Sequence, residues 1–218
     1  MIIIEDQIRP HDPGGRSVEI PFIKRNLSNV TNNSIADFGC MNGPTGNKHI
    51  GTPKYNLDKS NEMSYFDLQN IPKLKGKYHK VDLSISNFYA KESFNYGLCV
   101  SVVEHIGLNM YGNRIGAGSD ITAIENMYET IKPGGKLFIT VPASDTYQLP
   151  LSWIKSYTPQ MIKDWGKNLK EATIDIELCK YVKPNWNLCE KEEEFINIIQ
   201  YGNGQGIIGV GCITINKG

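Results

Sequence analysis

Short apolar runs that end in a carboxylate or a glycine recur through the first half of the chain. Ser34-Ile35-Ala36-Asp37-Phe38-Gly39 reads as a buried strand running into a glycine turn. Tyr55-Asn56-Leu57-Asp58 predicts a second short strand with an acid at its end, and His79-Lys80-Val81-Asp82-Leu83 repeats that design. A fourth strand is predicted over Tyr96–Ser101, leading into Val102-Val103-Glu104-His105. Helical spacing takes over elsewhere. Ile20, Phe22, Ile23 and Leu27 share one face of a short amphipathic stretch. Ile121, Ile124, Met127, Tyr128 and Ile131 do the same in a helix that starts near Ser119 or Asp120, either of which can cap it. Pro133-Gly134-Gly135 stops that helix, and Lys136–Val141 follows as a strand apolar on both faces. Thr158-Pro159 opens another helix, with Met161, Ile162, Trp165 and Leu169 on its packing face. Ala172–Leu178 alternates with period two, as does the glycine-bearing stretch from Ile207 to Ile215. The acidic run Glu190–Glu194 between them favours the positive end of a helix.

Strands that alternate with helices or loops imply an α/β fold with a parallel sheet and right-handed crossovers. The two final strands can pair with each other as an antiparallel edge. No linker divides the 218 residues, so the expectation is one domain over 1–218, with an N-terminal extension over 1–30. Composition narrows the class: 40% hydrophobic and 21% charged residues are those of a globular protein with a core. Lys+Arg 23 balances Asp+Glu 23, which removes the usual argument for a nucleic-acid or anionic-membrane surface. No apolar run is long enough to cross a bilayer, and MIIIEDQIRP lacks the basic start of a signal peptide. Cys40, Cys99, Cys179, Cys189 and Cys212 form no CxxC and read as free thiols in a reducing, cytoplasmic setting. His11, His49 and His79 show no metal-ligand spacing, so no metal is expected.

In an open parallel sheet, ligands bind beyond the carboxyl ends of the strands. The predicted strand ends offer Asp37 and Gly39, then Asp58, then Asp82, then Ser101, Glu104 and His105. A glycine turn admits close backbone approach, an acid after the second strand can accept two ribose hydroxyls, and an acid after the third can accept from an adenine amino group. This ordered set resembles the class I S-adenosylmethionine-dependent methyltransferases. IADFGCMNG is similar to their first motif, YNLD to the ribose-binding acidic motif, KVDL to the adenine motif, FNYGLCVSVVEHIG to the fourth strand with its Glu-His, and IKPGGKLFITVP to the helix end and fifth strand. More narrowly, EHIGLNMYGNRIGAGSD resembles a segment of an uncharacterised methyltransferase-like family, some members of which are linked to surface-sugar biosynthesis.

The resemblance implies a Rossmann-like three-layer sandwich with a mostly parallel seven-stranded sheet and a C-terminal antiparallel edge hairpin. It implies S-adenosylmethionine as cofactor, held by Asp37, Gly39, Cys40, Gly43, Asp58, Asp82, Leu83 and Ser101. His105, with Glu104, is the candidate base. The 107–120 loop, with Tyr111, Asn113 and Arg114, would shape the acceptor pocket, and the acceptor would be a small molecule or sugar, in surface glycan or secondary metabolite biosynthesis. The chain departs from the family pattern at Met41, where a glycine is usual, and in the Gly/Pro/Asn-rich stretch that replaces the next helix. Bland readings stand beside these: Asp58 or Asp82 capping a short helix, and Trp153, Tyr157 and Trp165 as helix packing. Two other functions stay open, a nicotinamide-dependent oxidoreductase without its GxGxxG and a silent fold that binds a partner.

Overall fold

The structure, a computed structural model, describes residues 15–40, 57–69, 77–108, 116–201 and 206–218. Their elements are α1 (Arg16–Leu27), β1 (Ser34–Phe38), β2 (Glu62–Asp67), β3 (Lys77–Lys80), β4 (Phe94–Val100), α2 (Ser119–Glu129), β5 (Ile131–Pro142), β6 (Gln148–Leu151), β7 (Ile154–Ser156), α3 (Pro159–Asp164), β8 (Ala172–Val182), β9 (Asn185–Cys189) and β10 (Gly209–Lys217). The main sheet has the order β3-β2-β1-β4-β5-β10-β8-β9. β1 pairs in parallel with both β2 and β4, β2 with β3, and β4 with β5. β10 is antiparallel to both β5 and β8, so β8 runs in the direction of β5. The chain moves outward from β1 to β3, then returns to place β4 on the other flank of β1. That reversal is the switch point at which open α/β sheets form crevices.

The period of two along each strand decides the layers. Ala36, Phe38, Cys99, Leu137, Ile139 and Val141 join one core cluster, while their neighbours Ile35, Leu98 and Phe138 join the other. α2 buries Ala123, Ile124, Met127 and Tyr128 against the first, and α3 adds Ile162. α1 buries Val18, Phe22, Ile23 and Leu27 against the second. The result is the expected three-layer sandwich, mostly parallel, with an antiparallel C-terminal region.

Several boundaries differ from the sequence reading, each for a local reason. Among the described residues the sheet has eight strands where seven are expected, because β9 folds back on β8 and takes the edge. The two C-terminal strands do pair, but β10 lies inside the sheet, between β5 and β8. The second strand is Glu62–Asp67, five residues beyond the start of a one-turn 3-10 helix at Leu57–Lys59. Met63, Tyr65 and Phe66 supply the buried side chains that hold it there. Neither Ser119 nor Asp120 caps α2: Gly118, left-handed at φ 81°, occupies the cap position. Pro133-Gly134-Gly135 lies within β5, where a register shift against β4 between Phe94 and Tyr96 absorbs it. Glu192–Glu194 makes only a single 3-10 turn before the buried Phe195. Thr158 caps α3 as expected, its hydroxyl accepting from the Met161 amide at 3.2 Å.

Candidate functional site

The carboxyl ends of the first four strands open on one cavity of about 350 Å³, within the range of small-molecule sites. β1 contributes Gly39, β2 contributes Asp67, Leu68 and Gln69, β3 contributes Asp82 and Leu83, and β4 contributes Ser101, Glu104 and His105. Arg16 and Glu19 of α1, Trp153 and Tyr201 close the remaining wall.

Gly39 shows why the turn after β1 needs glycine. Its φ is +73°, and a Cβ there would lie 2.3 Å from the Val102 side chain. The Gly39 amide donates to the Phe66 carbonyl at 2.7 Å, and the Cys40 amide shares that acceptor at 3.3 Å. The turn is thereby tied to the end of β2, beside Asp67. Asp67 is buried, and its Oδ1 accepts from the Gln69 amide at 2.9 Å. Asp82 organises the turn after β3, with Oδ1 accepting from the Ser84 amide at 2.9 Å and hydroxyl at 2.7 Å.

The end of β4 is the most polar part of the wall. Ser101 has a positive φ of 52° and donates from its hydroxyl to Glu19. Glu19 is itself buried, takes Arg16 at 2.7 Å, and accepts from the Thr140 hydroxyl at 2.9 Å. Glu104 follows in a 3-10 turn over Val103–His105, its side chain only 1% exposed. Among the described residues its Oε2 has no hydrogen-bond partner. Burial pushes its carboxyl up to about 8, with the Glu19 charge acting in the same direction. It therefore carries a proton at neutral pH.

The His105 Nδ1 lies 2.6 Å from the Trp153 carbonyl oxygen. That oxygen can only accept, so Nδ1 carries the hydrogen and the neutral ring keeps its lone pair on Nε2. Burial holds His105 below the usual histidine range, so the ring is neutral at pH 7. It stacks on Trp153 with centroids 5.6 Å apart.

A second buried network fixes this turn from behind. Lys155 Nζ sits 2.8 Å from Asp120 Oδ2 and donates to the Ile106 carbonyl at 2.7 Å. The Tyr157 hydroxyl donates to the same Asp120 oxygen at 2.7 Å.

Gly39, Asp82, Leu83, Ser101, Glu104 and His105 thus come together on one cavity wall. Asp37 and Cys40 are buried beside them but do not line the cavity. Asp58 lies in the 3-10 turn that precedes β2, at the opposite end of that strand from Asp67. The acid at the carboxyl end of β2 is Asp67, which Met63-Ser64-Tyr65-Phe66-Asp67 announces by the same apolar-then-acid design. Gly43, Met41, Tyr111, Asn113 and Arg114 lie outside the described residues. Tyr157 and Trp165 pack in the core, whereas Trp153 sits between β6 and β7 and faces the cavity. Arg16, Glu19 and Tyr201 were not signalled by any motif, because tertiary packing alone brings them here.

The geometry fits a nucleoside-bearing ligand. Asp67 and Asp82 stand at neighbouring strand ends with Gly39 on the same cavity wall, and among the described residues the Glu104 Oε2 has no hydrogen-bond partner. All five cysteines are unpaired, and no cluster of metal-ligating side chains occurs among the described residues. No helix among them is long and apolar enough to cross a membrane.

The family described as Caenorhabditis protein of unknown function, DUF268, matches residues 63–152, which run from β2 to the turn after β6. No curated protein matches the sequence. Among solved structures, the chain is similar to the 1,6-didemethyltoxoflavin-N1-methyltransferase of Burkholderia thailandensis, crystallised with 1,6-didemethyltoxoflavin and S-adenosylhomocysteine, at TM-score 0.60 and 11% identity over 95% of this chain and 80% of that one. It is similar to the N-methyltransferase NodS of Bradyrhizobium japonicum WM9, crystallised with S-adenosylhomocysteine, at TM-score 0.56 and 14% identity over 98% and 90%. The [4+2]-cyclase SpnF matches as well, at TM-score 0.58 and 12% identity over 91% and 79%. The chain has the Rossmann-like fold that these two methyltransferases and the cyclase share.

Proposed function

We propose that the protein transfers a methyl group from S-adenosylmethionine to a small-molecule acceptor. The observation that supports this reading best is the convergence of Gly39, Asp67, Asp82 and the Glu104-His105 turn on one cavity at the switch point. Asp67 would hold the ribose hydroxyls, Asp82 and Leu83 the adenine, and the Gly39 turn the amino-acid end. The cofactor supplies a methyl group already activated on a sulfonium.

The protein's part is then to place the acceptor and manage its proton. His105 is suited to receive that proton, because its neutral ring, fixed by the Trp153 carbonyl, presents a basic Nε2 to an O–H or N–H group. Glu104 is not the base at neutral pH, because it already holds a proton. The 107–120 loop would cover the acceptor, which could be a sugar of surface glycan or secondary metabolite biosynthesis. The cytoplasmic setting and the single domain over 1–218 belong to the same proposal.

Fold alone does not choose the reaction, as the cyclase of the same fold shows. The test is calorimetric titration with S-adenosylhomocysteine, with NAD as control, on the wild type and on Asp67→Ala. One-site binding of S-adenosylhomocysteine that Asp67→Ala weakens at least tenfold is the expected result. Binding of NAD alone would replace the reading with an oxidoreductase, and binding of neither would favour a silent, partner-binding fold.

A further inference from the structure

At the β4 end of the cavity the cationic and acidic groups are unevenly matched in number: one guanidinium stands against two carboxyl groups. Arg16 is the only cationic side chain among its described lining residues, and it is engaged by Glu19 at 2.7 Å. Against it stand Glu19 and Glu104, the latter with a buried oxygen that no described residue satisfies. An orphaned buried carboxyl oxygen in a native protein calls for a reason. The same cavity has an aromatic part: Trp153 stacks on His105 and meets Tyr201 edge to face, with centroids 6.4 Å apart. A carboxyl group beside aromatic rings is the chemistry that receives organic cations, through charge on one side and the π faces on the other.

We infer that Glu104, Trp153 and Tyr201 form a cation subsite, and that the acceptor is a compound recognised through a cationic amino or ammonium group. Its assignment as the acceptor site rests on the methyl-transfer reading; the subsite itself rests on the cavity wall. An anionic acceptor meets no uncommitted positive charge among the described lining residues. A cation would draw the proton off Glu104 and complete the group that the wall leaves unsatisfied.

The groups facing Glu104 make the pH dependence readable. Glu19 and Arg16 face it from α1, Cys99 from β4, Ser101 from the residue after β4 and His105 from its own turn, and Tyr157 and Tyr201 also feel its charge. Burial holds His105 low and holds Cys99, Tyr157 and Tyr201 high. Between pH 7 and pH 9 those four keep one form while Glu104 loses its proton.

The experiment uses benzyltrimethylammonium, whose charge does not vary with pH, and compares it with benzyl alcohol and benzoate. Each is titrated calorimetrically into the full chain, alone and with S-adenosylhomocysteine present. The expected result is preferential binding of the cation, with an affinity that rises about tenfold between pH 7 and pH 9 as the carboxyl ionises. Glu104→Gln should weaken that binding and flatten its pH profile, and Trp153→Leu should weaken it while keeping the profile. Benzoate binding as well as the cation, or a cation affinity flat with pH and unmoved by Glu104→Gln, would overturn the subsite. Thermal unfolding of each variant checks that it is folded. The S-adenosylhomocysteine titration reports on the methyl-transfer reading separately: cation binding without it keeps the subsite and removes its role as acceptor site.

Discussion

Two buried carboxyl groups, Glu104 within the turn at Val103–His105 and Asp120 packed against it through Tyr157 and Lys155, have contrasting surroundings. Asp120 has Lys155 at 2.8 Å and the Tyr157 hydroxyl at 2.7 Å on the same oxygen. Glu104, 1% exposed, has an oxygen with no partner among the described residues. Both lie where an unpaired charge would be costly. Asp120 meets that cost with a neighbouring cation and a hydroxyl, and so serves to hold β7, α2 and the turn together. Glu104 meets it by keeping its proton, which leaves a group able to respond to whatever enters the cavity. A satisfied network marks scaffold; an unsatisfied one on a cavity wall marks the face turned toward a ligand.

The sharpest way to break this contrast is to remove a partner from the satisfied side. Lys155→Ala leaves Asp120 buried without its cation and should lower stability by about 3–5 kcal/mol. Thermal and urea unfolding measure it, and a loss below about 1 kcal/mol would mean that the pair is not structural. On the other side, stability should depend on pH through Glu104. Its folded-state proton affinity is raised, so stability is full below the ordinary carboxylate range and falls as pH rises from there to about 8. Glu104→Gln should flatten that decline and leave the variant more stable than the wild type at pH 8, read from urea unfolding at several pH values. Parallel curves for the two proteins would show Glu104 ionised in the fold.

Substitution at the turn between the two regions should have a smaller effect on stability. Gly39→Ala forces a Cβ at positive φ to within 2.3 Å of Val102 and should cost about 1–3 kcal/mol. It should also abolish S-adenosylhomocysteine binding, and full retention of binding by a folded variant would separate this turn from the ligand. The smallest effect is expected at Asp58. Its position before β2 predicts that Asp58→Ala changes S-adenosylhomocysteine affinity less than twofold, while Asp67→Ala reduces it at least tenfold. The reverse order would restore the acid at Asp58 as the ribose ligand.

Asp58 and Asp67 show what can be read along the chain and what cannot. Both acids close a short apolar run, and local pattern does not rank Leu57-Asp58 against Phe66-Asp67. Pairing ranks them: Met63, Tyr65 and Phe66 fill the space beside β1 in register with Ile35, Asp37 and Phe38. Only a strand in that register carries its acid to the cavity. Trp153 illustrates the same limit. As an aromatic in the chain it reads as helix packing, but a two-stranded hairpin places its ring against His105 and its carbonyl on Nδ1.

Periodicity alone was enough for β1, β4, α1, α3 and the alternating C-terminal strands, and hence for an α/β sandwich with its crevice at the strand ends. Those properties follow from interactions a few residues apart, where side-chain spacing, caps and turns act locally. The position of β10 inside the sheet, the approach of Arg16 and Glu19 to Ser101, and the unequal fates of Glu104 and Asp120 depend on segments far apart in the chain. Burial and charge pairing at those sites are properties of the packed molecule, because a carboxyl group has no partner and no desolvation cost until the chain closes around it.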